Sequence, residues 1–358
     1  MLISVPATTL SGGKALAYYM YVSIQEEDRI AIFSMTPKTG KLKHLGDAEL
    51  KGRPAPLAID PDRKYLFAGR RKADDFGMTS FSIDRKTGGL SPIGSIPLQG
   101  DPVHISTDKT GKFLLSAYYY QKTAAVHSIG DDGALADPPV VWRETDIGAH
   151  YIQTDPANRY AFVPHIAEGA MTGANAIFQF RFDEKTGTLT PLSPTRTNPR
   201  EPDGPRHMCF HPKKDIVYSS NEQGNSVTVY TYESNKGNLH PIQTISTLPK
   251  GYDGKNSCSQ IQITPDGKFL YAPNRGHNSI AGFRVNPDNG HLLAIGRTPT
   301  EAVPRAFSID LQGTFLYVAG LETGKLASYR IDQHNGKLGA GDVYDVGKGP
   351  MWVLITEF

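Results

Sequence analysis

The sequence predicts an all-β fold, a seven-bladed β-propeller with four antiparallel strands in each blade. Three observations support this prediction: a Gly-x-Leu turn that occurs seven times, a short apolar run on each side of every turn, and chain ends that share one blade. Successive turn glycines are 48, 45, 54, 50, 53 and 46 residues apart, and such a period built from short strands is typical of propellers. The turns begin at Gly40, Gly88, Gly133, Gly187, Gly237, Gly290 and Gly336.

The segment 53–98 shows the order of the strands within one blade. An inner strand is expected over residues 56–60, followed by the turn Asp60-Pro61-Asp62-Arg63 and a second strand over 64–69. A third strand over 78–84 and a fourth over 90–98 flank the Gly-x-Leu turn, whose glycine supplies the positive φ that other residues resist. The second-strand pattern recurs at 112–115, 159–163, 216–218, 268–271 and 314–317.

The seventh blade is predicted to combine both ends of the chain. Residues 351–356 match an inner strand and residues 18–23 match a second strand. Pairing them would close the ring and hide the edges that an open sheet exposes. The predicted organisation is therefore a single propeller domain over residues 18–358, preceded by a loose N-terminal leader over residues 1–17.

Composition excludes several classes of function. A net charge of +2 gives no sign of nucleic-acid binding, and no apolar run is long enough to span a membrane. Two cysteines and the lack of a signal-peptide pattern indicate the cytoplasm. No Gly-x-Ser-x-Gly, P-loop or His-Glu-x-x-His motif is present, so neither a cofactor nor a metal is predicted. The expected assembly is a monomer or a weak homodimer.

Strand direction sorts the residues between the two faces of the ring. The start of each inner strand and the end of each second strand lie on one rim, opposite the Gly-x-Leu turns. Six arginines and three carboxylates fall on this rim, an excess that suits an anionic small-molecule substrate. They are Arg53, Arg70, Arg71, Arg206, Arg275 and Arg305, with Asp101, Glu222 and Glu322. The predicted substrate-binding set is Arg53, Arg70, His104, Tyr118, His165, His207, Asn221, Asn274 and Arg305.

Four rim residues are the predicted catalytic set: His150, Arg206, Glu222 and Arg275. Two arginines around one carboxylate can hold a substrate anion and keep the carboxylate ionised. A histidine on the adjacent blade can move a proton near neutral pH. The residues leave open whether His150 or Glu222 is the base. A second interpretation, in which Asn221, Glu222 and Asn274 bind a hard cation, also remains open.

Several stretches resemble the bacterial seven-bladed 6-phosphogluconolactonases and, more distantly, the fungal carboxymuconate lactonising enzymes. The most specific are residues 204–212 (Gly-Pro-Arg-His-Met-Cys-Phe-His-Pro) and Asn221-Glu222, and further stretches are residues 263–268 and 349–353. The resemblance covers about residue 18 to the end of the chain. It implies an active site of one histidine, two arginines and one glutamate, which by motif position fall on His150, Arg206, Arg275 and Glu222.

Three functions are consistent with these observations. The first is a metal-independent lactone hydrolase for an anionic sugar lactone, most simply 6-phosphogluconolactone of the pentose phosphate pathway. The second is a cycloisomerase or lactonase for a carboxymuconate, another dicarboxylate or a uronate. The third is a non-catalytic interaction scaffold, which the fold permits; the polar, basic rim and the lack of Trp-Asp repeat endings speak against it.

Overall fold

The computed structural model describes residues 16–168 and 172–358. All secondary structure in these ranges is β, with 28 strands in seven four-stranded antiparallel sheets. The predicted seven-bladed propeller is confirmed. The predicted leader lies outside the described residues, apart from its last two positions.

Each blade runs from an inner strand at the channel to an outer strand at the perimeter. Blades 1 to 3 contain β4 (Pro54–Ile59), β5 (Tyr65–Arg70), β6 (Gly77–Ile83) and β7 (Leu90–Pro97); β8 (Pro102–Thr107), β9 (Phe113–Tyr118), β10 (Thr123–Ser128) and β11 (Val141–Glu144); and β12 (Gln153–Thr154), β13 (Tyr160–His165), β14 (Ala176–Phe182) and β15 (Leu189–Thr197).

The remaining blades repeat this order. Blades 4 to 6 contain β16 (Pro205–Phe210), β17 (Ile216–Asn221), β18 (Ser226–Glu233) and β19 (Asn238–Ser246); β20 (Gln262–Ile263), β21 (Phe269–Asn274), β22 (Ser279–Val285) and β23 (Leu292–Pro299); and β24 (Pro304–Ile309), β25 (Phe315–Gly320), β26 (Lys325–Ile331) and β27 (Leu338–Asp345). Blade 7 contains β28 (Pro350–Glu357), β1 (Tyr18–Ile24), β2 (Arg29–Met35) and β3 (Leu42–Glu49).

Blade 7 closes the ring as the sequence predicts. Strand β28 from the C-terminus pairs antiparallel with β1, in a register that places Tyr21 opposite Leu354. The apolar core lies between blades rather than at a single centre. One cluster, for example, joins Met20 and Val22 of blade 7 to Tyr317 and Leu326 of blade 6. Each blade therefore depends on its neighbours for burial.

Each Gly-x-Leu turn packs against the preceding blade. The turn of blade 1 packs on the second strand of blade 7, where Tyr21 donates its hydroxyl hydrogen to the carbonyl of Gly88 at 2.9 Å. Gly88 has φ +72°, and a Cβ there would lie 2.5 Å from the ring of Tyr19. Only glycine fits both the conformation and the close approach. Equivalent tyrosine-to-glycine bonds are Tyr218 to Gly290, Tyr271 to Gly336 and Tyr317 to Gly40.

We expect Gly88→Ala to lower the free energy of unfolding by about 2–4 kcal/mol, because the strained φ and the overpacking against Tyr19 add together. Urea denaturation of the purified variant measures this loss. Gly94→Ala is the matched control, since a Cβ at Gly94 meets no atom within 4 Å. Equal denaturation midpoints for the two variants would contradict the proposed role of the turn.

Candidate active site

A cavity of about 210 Å³ opens at the channel mouth on the predicted rim. We call it the rim cavity; its lining consists of Arg71, Val103, Tyr119, Tyr120, His150, Ile166, Glu222, Arg275 and Arg305. A narrower space of about 10 Å³, which we call the recess, shares three of these residues. The recess is lined by Ala55, Pro56, Arg71, Val103, Arg206, Gln260, Arg305, Met351 and Trp352.

Two structural positions supply the charged groups. Arg71, Glu222 and Arg275 are each the first residue after the second strand of their blade. Arg206 and Arg305 are each the second residue of an inner strand, at a shift in register with the neighbouring strand. The pairing skips these two arginines, as expected at a β-bulge, a device that redirects side chains beside active sites. The repeat thus brings equivalent positions from several blades to one channel.

Glu222 is held by two arginines. Its Oε2 atom lies 2.7 Å from Nε of Arg206, and its Oε1 atom lies 2.9 Å from a terminal nitrogen of Arg275. The contact with Arg206 is an ion pair whose angle is not that of a hydrogen bond, so Arg206 Nε and Glu222 Oε2 have no aligned partner. Burial raises the pKa of Glu222, but the two arginines outweigh burial and lower it overall. Glu222 is therefore ionised at neutral pH.

Arg71 and Arg305 differ in their partners. Arg71 forms a two-pronged ion pair with Asp101, with nitrogen–oxygen distances of 2.5 and 2.6 Å. Within the described residues, the side chain of Arg305 has neither a hydrogen bond nor an ion pair. Burial, followed by repulsion from Arg206 and the other arginines, lowers its pKa well below the usual value. Four guanidinium groups thus face two carboxylates, which leaves two positive charges in excess.

His150 is a neutral imidazole beside this charge. Its ring is buried, and Nδ1 has no hydrogen-bond partner within the described residues. Burial lowers the pKa of His150 well below 6.5, and Arg206 and Arg305 lower it further. Its backbone N–H donates to the carbonyl of Pro164 at 2.9 Å, which fixes the residue at the cavity wall. His150 lines the rim cavity as a neutral ring, which is the form that can accept a proton from a ligand.

Four aromatic rings close the channel below the recess. His104 packs on Tyr151 with ring centroids 4.1 Å apart, and lies 5.3 Å from His207 and 5.5 Å from Trp352. We call this group the aromatic plug. His104, Tyr151 and Trp352 also line a second cavity of about 410 Å³ on the other side of the plug. Of these rings, Trp352 also lines the recess.

The structure brings together five of the predicted site residues, namely His150, Arg206, Glu222, Arg275 and Arg305. His104 and His207 lie in the aromatic plug. The other six predicted residues do not line the rim cavity or the recess: Arg53, Arg70, Tyr118, His165, Asn221 and Asn274.

Local contacts explain these six positions. Arg53 is exposed, and Arg70 pairs with Asp75 at 3.0 Å. Tyr118 packs on Trp142, and His165 bonds to the carbonyl of Val163 and the hydroxyl of Thr145. The amide groups of Asn221 and Asn274 bond to hydroxyls at the starts of the third strands, Ser226 and Ser279. The contacts of these five paired residues stabilise the blades.

The predicted substrate-binding set omits Arg71, although the sequence assigns the residue to the rim that carries the cavity. Arg71, like Glu222 and Arg275, lies one position beyond the second strand of its blade. This shared position is the sequence signal that distinguishes Arg71 from Arg70. Asp101, Gln260 and Trp352 are further site residues outside the set. Asp101 orients Arg71, while the other two line the recess.

Within residues 16–168 and 172–358, no group of three or more His, Cys, Asp or Glu side chains is arranged to hold a metal ion. In the cation site that the sequence leaves open, Asn274 Oδ1 accepts hydrogen bonds from Thr247 and Asn256, and Glu222 faces arginines. No helix in the described part of the chain could cross a membrane.

Known proteins resemble this chain over nearly its whole length. A 6-phosphogluconolactonase of Serratia proteamaculans is 36% identical over 336 residues, which cover 94% of this chain and 98% of the relative. A 6-phosphogluconolactonase of Yersinia pestis is 34% identical over 337 residues, covering 94% and 97%. The structure of the periplasmic gluconolactonase of Pseudomonas aeruginosa superimposes with a TM-score of 0.86 at 25% identity, covering 95% of this chain and 99% of that one.

The match to a protein family spans nearly the whole propeller. Residues 17–355 fit the family described as "Lactonase, 7-bladed beta-propeller". The matched range contains every residue of the rim cavity and the recess. The chain therefore belongs to the seven-bladed β-propeller lactonase family.

Proposed function

We propose that this lactonase hydrolyses an anionic sugar lactone, with 6-phosphoglucono-δ-lactone as the substrate. The observation that carries the proposal is Glu222, clamped by two arginines beside a neutral His150 in a cavity with excess positive charge. The names of the Serratia and Yersinia relatives support the same substrate. A phosphate ester carries about −1.5 to −2 charges at neutral pH, which complements the excess of two.

The proposed reaction begins with attack of water on the lactone carbonyl carbon. His150 accepts a proton from the water, and Arg275 beside Glu222 stabilises the negative charge that develops on the carbonyl oxygen. The bond between the carbonyl carbon and the ring oxygen then breaks, and His150 returns the proton to the departing oxygen. The product is a hydroxy acid, which ionises and releases one proton.

His150 is the better candidate for the base. Both oxygens of Glu222 contact arginines, and its pKa lies below the usual carboxylate value, so it is a weak proton acceptor. His150 is neutral, lines the rim cavity and is not paired with an arginine. A bound anion would offset the repulsion from Arg206 and Arg305, and the pKa of His150 would rise when substrate is present. Glu222 then acts by holding Arg206 and Arg275 in place.

The test is hydrolysis of freshly prepared 6-phosphoglucono-δ-lactone, followed as NADPH formation by 6-phosphogluconate dehydrogenase. Purified protein should increase the rate well above spontaneous hydrolysis, and failure to do so rejects the proposal. A parallel assay follows the ultraviolet absorbance of a carboxymuconate. Turnover there alone would favour the cycloisomerase alternative, since the same arginines could clamp two carboxylates.

The pH dependence provides a second check. Because His150 in the free enzyme has its pKa well below 6.5, kcat/KM for glucono-δ-lactone should stay constant from pH 8 to pH 6. An uncharged lactone is used because a phosphate group itself gains a proton near pH 6. A fall by half near pH 6.5, after subtraction of spontaneous hydrolysis, would show that the base titrates normally.

We also propose that the protein acts in the cytoplasm. Its two cysteines, Cys209 and Cys258, form no disulfide, which fits a reducing compartment. Cell fractionation with an antibody to the chain tests this location. The prediction of a monomer or weak homodimer remains to be tested by size-exclusion chromatography with light scattering.

A further inference from the structure

We propose that three of the four arginines divide the substrate between them: Arg305 and Arg71 bind its phosphate at the recess, while the lactone lies against His150, Glu222 and Arg275. Asp101 is a positioning residue that orients Arg71. This inference deepens the proposed function and rests on it for the identity of the substrate. It assigns a phosphate subsite to residues of blades 1, 2 and 6, separate from the reacting centre.

The lack of a paired carboxylate distinguishes Arg305 from the other three arginines. Arg206 and Arg275 share Glu222, so part of their charge is already balanced. Arg305 has no hydrogen-bonding or ion-pairing partner for its side chain in the described residues, yet it lines both the recess and the rim cavity. An unbalanced guanidinium in a confined site is a strong attractor for an anion, because water screens it only in part.

Arg71 lines the same two spaces and is fixed by a carboxylate. Its Nε and one terminal nitrogen bond to the two oxygens of Asp101, at 2.5 and 2.6 Å. A two-pronged pair fixes the plane of the guanidinium group and leaves its other terminal nitrogen free of any hydrogen bond within the described residues. Both Arg71 and Arg305 line the recess and the rim cavity. A phosphate at their junction would contact two blades that flank blade 7.

The sizes and linings of the two spaces favour one orientation of the substrate. The recess holds about 10 Å³, room for roughly one water-sized group. It can therefore take one phosphoryl oxygen, with the rest of the phosphate in the rim cavity of about 210 Å³. His150, Glu222 and Arg275 line the rim cavity and not the recess, which places the lactone carbonyl on their side.

The first experiment measures binding of inorganic phosphate by isothermal titration calorimetry. Arg305→Met, which removes the charge and keeps much of the volume, should weaken binding at least tenfold. Lys72→Ala removes one exposed positive charge from the same rim and is the matched control, with an unchanged Kd expected. Absence of phosphate binding to the wild type, or equal affinity in Arg305→Met, would overturn the inference.

The second experiment compares two lactones that differ only in the phosphate. Arg305→Met should lower kcat/KM for 6-phosphoglucono-δ-lactone roughly 100-fold and change that for glucono-δ-lactone less than about threefold. Arg305→Lys should recover part of the loss. Asp101→Asn should raise KM for the phosphorylated lactone while kcat stays within about twofold. Equal losses on both lactones in Arg305→Met would place Arg305 at the reacting centre and contradict the assignment.

These measurements separate the inference from the proposed function. If the wild type binds phosphate through Arg305 but does not hydrolyse the phosphorylated lactone, the proposed substrate is wrong while the phosphate subsite is supported. If the wild type hydrolyses that lactone and Arg305→Met does so equally well, the function stands and the subsite is wrong. Thermal unfolding of each variant confirms that the comparison concerns folded protein.

Discussion

Replacing Glu222 by glutamine should lower kcat/KM for 6-phosphoglucono-δ-lactone by roughly 10²–10³-fold. Removing one partner from a buried charge pair typically costs about 2–5 kcal/mol, and each 1.4 kcal/mol is a factor of ten. Glutamine keeps the shape of the side chain but leaves Arg206 and Arg275 without a counter-charge. The added positive charge would also lower the pKa of His150 further and weaken it as a base.

Initial rates at saturating and low substrate, together with the melting temperature, measure this effect. Glu322→Gln is the matched control, because Glu322 is an exposed carboxylate at the same rim, outside the cavity lining. It should retain wild-type kinetics. A loss of only a few-fold in a folded Glu222→Gln protein would remove Glu222 from the reacting centre, although the chain could still be a lactonase.

The fold was predictable because its signals are local and repeated. Each turn glycine is required for two reasons: its φ is positive, and it lies in close contact with the preceding blade. Gly88 and its equivalents therefore recur at a regular interval in the sequence. Ring closure was predictable as well, because Tyr21 and Leu354 lie in strand patterns that have no partner elsewhere in the chain. Neither inference needs the direction of an individual side chain.

The site was only partly predictable because side-chain direction changes with a single residue. Arg70 is the last residue of β5 and pairs with Asp75, while Arg71 turns into the cavity. Likewise Asn221 ends β17 and bonds within its blade, whereas Glu222 faces the channel. Sequence reasoning places both neighbours on the same rim but cannot choose between them. The bulge that redirects Arg206 is a shift in the register between β16 and β17. Such a shift depends on how the two strands pair, so it cannot be read from the sequence of one strand.

The buried histidines predict a marked loss of stability in mild acid. His104, His150, His165 and His207 are all buried, and burial is the main cause of the low pKa of each. The pKa falls to about 3 for His104 and to about 4 for His165. In the unfolded chain a histidine titrates near pH 6.5, so below that pH the unfolded state binds more protons than the folded state and becomes favoured.

The expected size follows from this difference. At pH 5.5 each imidazole that stays neutral in the folded state but is protonated in the unfolded state lowers the unfolding free energy by about 1.4 kcal/mol. The four histidines together should lower it by roughly 5–6 kcal/mol relative to pH 8. Most carboxylates titrate below this window. The total is comparable to the whole stability of many domains, and urea denaturation at the two pH values measures it.

Two variants assign the effect to the buried rings. His104→Phe preserves an aromatic ring against Tyr151 but cannot take up a proton, so the loss between pH 8 and pH 5.5 should shrink by about 1.4 kcal/mol. His334→Gln removes an exposed histidine and should leave the loss unchanged. If stability is the same at both pH values, the histidines must gain protons within the fold. In that case the neutral state of His150 would also be wrong, and the choice of His150 over Glu222 as the base would lose its physical ground.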